Sequence, residues 1–137
     1  MPPPANASIL ELAANHFSDP TTRARYFDLY DTRAVLHGYP GVEPGMESIQ
    51  QFYASFWAAF PDAQLRIEDT VEQGEKLAAR FAVTATHRGV FMGVPPTGRR
   101  VVLTGITLLL FRQGKCVERW SEANFLALLQ QIGAVPS

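Results

Sequence analysis

A single cysteine, Cys116, occurs in 137 residues, so no intramolecular disulfide can form. Cys116 falls in a segment of alternating apolar residues where a small thiol packs as core filler. Lys115 alone does not supply the base or helix N-terminus that a nucleophilic thiol needs. The three histidines, His16, His37 and His87, have no close metal-ligand spacing, and without a cysteine pair a zinc site is not expected. An excess of either charge is also missing. Twelve Lys and Arg stand against thirteen Asp and Glu, for a net charge of -1. The basic residues are scattered rather than gathered on a face, which argues against a nucleic-acid partner. Long apolar runs are absent: the longest, Ile106 to Phe111, is far too short to cross a bilayer. The start, Met1-Pro2-Pro3-Pro4, lacks the basic stretch and apolar core of a secretory signal and predicts a cytoplasmic protein. No Ser-His-Asp or Cys-His set, phosphate-cradling loop or nucleotide fingerprint occurs. Two prolines inside Gly93 to Gly98 remove N–H groups that an anion nest would require.

What the chain does have is apolar material, 47% of residues, enough for one domain over residues 1–137 that buries about two thirds of its unfolded surface. Residues 1–7 are expected to be frayed. Ser8 to Phe17 reads as a helix with Ser8 as N-cap and Glu11 completing a capping box. A second helical stretch, Thr21 to Leu29, turns Tyr26 and Leu29 to the core, and Ala34 to His37 is a short strand before a Gly- and Pro-rich loop. Glu47 to Phe60 is the clearest helix, because Ile49, Phe52, Tyr53, Phe56 and Phe60 recur at helical spacing. From Ala63 the period changes to two. Leu65 to Val71, Leu77 to His87, Val101 to Phe111 and Val117 to Trp120 read as strands, joined by turns at Gln73-Gly74-Glu75 and Gln113-Gly114-Lys115 and by the loop from Phe91 to Gly98. Phe125 to Ile132 closes the chain as a helix with Gly133 as its C′ residue. Helices followed by consecutive antiparallel strands define an α+β domain with helices packed on one face of a curved sheet.

Along the last strand, Glu118, Trp120, Glu122 and Asn124 share one face if the strand runs that far. Carboxylates beside an indole on one face predict a lined pocket. His37 ends a strand ahead of a flexible loop, where it can reach a pocket mouth or simply satisfy a backbone carbonyl. His87 is in register with Val83 and Ala85 and is expected on the apolar side of its strand. Phe52, Tyr53, Phe56 and Trp57 form an aromatic ridge, mostly core. Trp57, with Phe91 and Met92 of the loop, is the part expected to touch a ligand.

Taken together, His37 after Tyr30-Asp31, the helix start Gly45-Met46-Glu47-Ser48-Ile49, Phe60-Pro61-Asp62, Glu68-Asp69, Gly93-Val94-Pro95-Pro96-Thr97-Gly98, and Gly114-Lys115 running into Glu118-Arg119-Trp120 and Leu128-Leu129-Gln130-Gln131-Ile132-Gly133 resemble the SnoaL-like polyketide cyclases, of the nuclear-transport-factor-two-like fold. The likeness spans roughly residues 27 to 133. It implies a cone-shaped α+β barrel, open at one end around a deep apolar pocket, and a homodimer or larger homo-oligomer formed through the sheet. It also implies aldol ring closure of an aromatic polyketide ester with neither metal nor organic cofactor. In that family an Asp four residues after the Trp is acid and base. Here that position is Asn124, which cannot abstract a proton.

Glu122 is then the expected substitute base, its pKa raised by burial beside Trp120. Asn124 and His37 would bind the substrate oxygen, and Trp120, His87, Tyr53, Trp57, Phe91 and Met92 would line the pocket. The residues equally allow Glu122 to be solvated and Asn124 to be the N-cap of the last helix. The expected activity is acid/base chemistry on an apolar carbonyl compound, by aldol condensation or isomerisation. Glu122, Asn124 and Tyr53 would alternatively hold a water for epoxide opening. A ligand-binding dimer that has lost the acid is the non-catalytic alternative.

Overall fold

The computed structural model describes residues 5–136. Of the start expected to be frayed, residues 1–4 lie outside the described residues, whereas Asn6 and Ala7 already belong to a helix. The element order is helix α1 (Asn6–Phe17), a 3₁₀ helix (Arg23–Leu29), strand β1 (Tyr30–His37), helix α2 (Met46–Ala59), strands β2 (Gln64–Gln73), β3 (Lys76–Thr86), β4 (Arg100–Arg112) and β5 (Lys115–Ala123), and helix α3 (Phe125–Gln131). Five strands form one mixed sheet in the order β1-β5-β4-β3-β2, with β1 parallel to β5 and every other pair antiparallel. This is the expected α+β cone, a strongly curved sheet closed over by helices.

Each helix follows from its apolar spacing. In α1, Leu10, Ala13, Ala14 and Phe17 are buried, one stripe at intervals of three and four, and α1 packs on β2. The Ser8 capping box does not form. The Ser8 and Ile9 amides already donate to the Ala5 carbonyl, so the chain is helical before Ser8 arrives. The Tyr26 and Leu29 pair sits on a 3₁₀ helix rather than an α-helix, which suits two core residues spaced by three at three residues per turn. In α2, Ile49, Tyr53, Phe56 and Ala59 are buried, and Phe60 follows as the C-cap residue.

Strands β3 and β4 alternate along most of their length, Ala82 and Thr86 of β3 being buried on the other parity. Leu77, Ala79, Phe81, Val83 and Ala85 of β3 face the helices, as do Val101, Leu103, Thr107, Leu109 and Phe111 of β4. Strand β1 begins at Tyr30, four residues earlier than its apolar pattern predicts, because it pairs in parallel with the distant β5. A parallel partner some eighty residues away leaves no local signal. The other face of the sheet carries Val102, Ile106 and Trp120, all exposed.

Candidate functional site

Strand β5 carries the site, and its pairing with β4 decides which of its side chains reach the interior. Arg112 pairs with Lys115 and Phe111 with Cys116, but Leu110 pairs with Glu118. Val117 is therefore an extra residue on β5, a β-bulge. Cys116 points inward before the bulge. An unbroken alternation would send Glu118, Trp120 and Glu122 inward after it, but one additional residue reverses the phase. Arg119 and Ser121 are buried instead, while Trp120 and Glu122 are exposed.

Arg119 enters a cage of hydroxyl groups. Its Nε donates to Thr107 Oγ1 at 2.8 Å, and its Nη1 donates to Tyr30 Oη at 2.7 Å and Tyr26 Oη at 3.2 Å. Tyr26 Oη in turn donates to Tyr53 Oη at 2.8 Å, and Tyr30 Oη lies 2.8 Å from Tyr26 Oη and 3.2 Å from Tyr53 Oη. On the other side, Thr107 Oγ1 is 2.8 Å from Ser121 Oγ, which is 2.9 Å from Tyr39 Oη. The Tyr39 ring also faces the guanidinium, 5.8 Å from its central carbon. Gly38 makes this arrangement possible. Its φ is +85°, and a Cβ there would stand 2.0 Å from the Ser121 carbonyl oxygen, so the chain turns tightly against β5 and places Tyr39 over Ser121.

No ion pair reaches Arg119: among the described residues its ion-pair partners include no carboxylate. Its Nη2 also has no hydrogen-bond partner there. The sealed side-chain atoms left unpaired are Trp57 Nε1 and His87 Nε2, so Nη2 is unpaired without being sealed, on a side chain that lines a cavity. That cavity measures about 60 Å³. Its walls are Phe17, Phe56, Leu65, Phe81, Val83 and Leu103, and its polar groups come from Arg119, Ser121, Tyr26, Tyr39 and Tyr53. An outer vestibule of about 170 Å³ adjoins it, bounded by Phe52, Phe56, Phe91, Met92 and Phe125.

Burial opposes the Arg119 charge, but the surrounding hydroxyls, Tyr30 foremost, hold its proton more tightly, and the net direction is upward. Desolvation pushes the Tyr26, Tyr30 and Tyr53 hydroxyls up, so they stay protonated at neutral pH. The Cys116 thiol is likewise pushed up by burial, to about 11. The site thus holds one positive charge and no negative one.

The residues picked out in the sequence fall on both faces of the sheet. Tyr53 lines the cavity, and Phe91 and Met92 line the vestibule. Glu122 is exposed on the opposite face of the sheet, where it lines an open depression together with Trp120, His37 and Ile106, so it is not the desolvated base that its sequence position predicts, and Trp120 borders that outer depression rather than the interior cavity. His37 is on that outer face too. Its Nε2 is 2.7 Å from Glu118 Oε2, and its ring stacks on Trp120. Asn124 follows β5 rather than ending it, and its side-chain oxygen accepts the Ala127 amide at 3.0 Å as the N-cap of α3.

Trp57 packs among Phe17, Tyr26 and Tyr53 beneath Arg23 rather than lining the cavity. His87 is fully buried against Phe60. The Thr97 amide donates to its Nδ1, which leaves the ring proton on Nε2. Glu122, Asn124 and Tyr53 are therefore not gathered around one water. Among the described residues no three His, Cys, Asp or Glu side chains converge as metal ligands, and no helix is long and apolar enough to cross a membrane.

Sequence reasoning missed Arg119, Tyr26, Tyr30, Tyr39, Thr107 and Ser121. One signal was available: Cys116 as an inward residue and Trp120 beside charged neighbours fit one regular strand poorly. A bulge after the hairpin would have reconciled them.

A cone-shaped α+β barrel with an apolar chamber, a buried polar end and an aromatic mouth defines a small-molecule-binding domain. The model of the SnoaL-like polyketide cyclases matches residues 13–132, and the chain belongs to that family. No functionally curated protein matches it in sequence. Among solved structures, AclR of Streptomyces galilaeus, a candidate hydroxylase, superposes with a TM-score of 0.85 at 28% identity, over 96% of this chain and 83% of that one. TsrD of Streptomyces laurentii superposes with a TM-score of 0.82 at 27% identity, over 98% and 100%. IdmH of Streptomyces antibioticus, a candidate polyketide cyclase, gives a TM-score of 0.80 at 28% identity, over 95% and 99%.

Proposed function

We infer that the chain is an enzyme acting on a flat, apolar carbonyl compound of polyketide type, and that its contribution is to stabilise the enolate formed at that carbonyl. The observation that carries this reading is Arg119 Nη2, an unpaired cationic donor on a side chain that lines a largely apolar cavity. A carbonyl oxygen seated against Nη2 gains negative charge as the neighbouring carbon loses a proton. A preorganised donor in a mostly apolar site is worth most at that moment. The hydroxyl cage fixes the guanidinium, so little reorganisation is needed when the charge develops. None of the lining residues carries a carboxylate or imidazole, and solvent reaching through the vestibule takes the proton. The enolate then closes a ring by aldol attack or returns the proton elsewhere as an isomerisation. Membership of the polyketide cyclase family supports the substrate class.

Deuterium exchange at the central carbon of benzoylacetone, an aryl 1,3-diketone, tests the reading. The wild type is expected to accelerate exchange and Arg119→Met to lose about 100-fold of that acceleration. The missing carboxylate favours a second reading, a ligand-binding protein without turnover. It would be upheld by benzoylacetone binding with exchange left at the solvent rate.

We further place this protein in the cytoplasm as a homodimer joined through the outer sheet face, where Ile106 is 60% and Trp120 38% exposed. Light scattering of Ile106→Arg, expected to be monomeric, checks the assembly.

A further inference from the structure

Resting on the carbonyl-binding reading, a narrower statement concerns the charge of the molecule that the cavity holds. We propose that the resident ligand is an oxyanion whose one delocalised negative charge rests on the oxygen that meets Arg119 Nη2 and whose planar apolar body extends from the cavity of about 60 Å³ into the vestibule of about 170 Å³.

The first support is a count of charge. Arg119 is 4% exposed, and the titratable groups facing it are Tyr26 from the 3₁₀ helix, Tyr30 from β1, Tyr39 from the loop after β1, Tyr53 from α2 and Cys116 from β5. All are acids that carry no charge when protonated, and no Asp, Glu, His or Lys lines the cavity. Proteins that bury a guanidinium usually give it a carboxylate, because the neutralising charge offsets much of the desolvation cost. Here hydroxyl oxygens solvate Nε and Nη1, and nothing neutralises the cation.

The second support is the free donor. Two of the three guanidinium nitrogens are held by the wall, and the third has no partner among the described residues and is not one of the sealed atoms, on a side chain that lines the cavity. An Arg retained only to brace the tyrosines would have no reason to leave that nitrogen unpaired.

The third support is the proton inventory of the neighbouring hydroxyls. The row Tyr39, Ser121, Thr107 can run in either direction, because Thr107 Oγ1 can donate to the Trp120 carbonyl at 3.2 Å or to Ser121 Oγ at 2.8 Å. In the second arrangement Ser121 donates to Tyr39, and the Tyr39 proton is released for the ligand. A bound anion selects that arrangement and receives a second donor beside Nη2. The same oxyanion can arrive as a carboxylate or form from a phenol or enol that sheds its proton on entry. In the second case binding releases a proton to solvent.

The experiment compares 1-naphthoate with its neutral analogue 1-naphthamide by calorimetric titration of the wild-type protein, and separately titrates 4-nitrophenol at a pH below its own pKa. Naphthoate is expected to bind at least about tenfold more tightly than the amide. Arg119→Lys keeps the preference and Arg119→Gln loses it. Nitrophenolate absorbance appearing on addition of protein identifies the phenol or enol source, and naphthoate binding without that absorbance identifies carboxylates. Equal affinity for naphthoate and naphthamide overturns the oxyanion proposal and leaves the carbonyl reading standing. Failure of both naphthyl probes and of benzoylacetone to bind overturns the two together. The wild-type comparison needs no variant, so a misfolded substitution does not blunt the test.

Discussion

Cys116 and Arg119 both direct their side chains into the interior from β5, although they stand an odd number of residues apart. Regular strands forbid this, since residues separated by three lie on opposite faces. The extra residue Val117 reconciles them. The whole chemical character of the cavity depends on it: with the bulge the interior receives a guanidinium and a hydroxyl, whereas a regular strand of the same residues would turn two carboxylates and an indole inward.

Deleting Val117 is therefore expected to straighten the strand without turning it over. With the extra residue gone, Glu118 follows Cys116 directly and still stands opposite Leu110, so Arg119 and Ser121 keep facing inward and Glu118, Trp120 and Glu122 keep facing outward. Circular dichroism during heating should show a cooperative transition in the deletion variant, and the variant should still bind naphthoate. Loss of the transition would mean that the local bend of the bulge, and not only its phase, is needed to seat Arg119.

The same bulge explains which parts of the structure were legible in the sequence. Elements defined by their own periodicity were readable: the stripe from Ile49 to Phe56, the alternation from Leu77 to Ala85, and Gly133 after the last helix, with its φ of +79°. The pairing of the two end strands was not, because parallel contacts between Tyr30 and Cys116 or His37 and Trp120 leave no local trace. The cone was readable from resemblance. The site was misplaced for a physical reason: Glu118, Trp120 and Glu122 do share a face, as their spacing requires, but a one-residue bulge decides that this face is the outer one. Asn124 is the N-cap that its place before the last helix allowed.

Glu122→Gln is the direct check on that placement. Glu122 is exposed and stands opposite Ile106 in the outer register, separated from Arg119 Nη2 by the sheet itself. Benzoylacetone exchange and naphthoate affinity are expected to stay within about twofold of wild type. A loss of 100-fold or more would return Glu122 to the role of base and require the outer face to be the working one.

Arg119→Met separates function from folding. The substitution removes a buried cation that has no counter-ion and replaces it with a flexible apolar side chain. Thr107 keeps its contact with Ser121, and the three tyrosine hydroxyls keep one another. Urea denaturation is expected to place the variant within about 2 kcal/mol of wild type, with either sign, although anion binding is lost. Destabilisation by more than about 4 kcal/mol would make Arg119 chiefly a structural brace for the tyrosines.

The tyrosine cage sets the alkaline limit of the fold. Three of the four tyrosines, Tyr26, Tyr30 and Tyr53, have pKa values raised above 10.0, first by desolvation. The native state keeps these protons where the unfolded chain has released them, so it binds more protons and unfolding becomes easier as pH rises. The stabilisation is complete below pH 10 and is lost as pH climbs through the folded-state values. Urea midpoints should accordingly fall above pH 10. Absorbance of tyrosinate should rise in one step coincident with the loss of circular dichroism, as the three buried hydroxyls ionise together on unfolding. Gradual ionisation of all four tyrosines in a still folded protein would mean that water reaches the cage, and Arg119 would then sit in a far more polar site than its burial indicates.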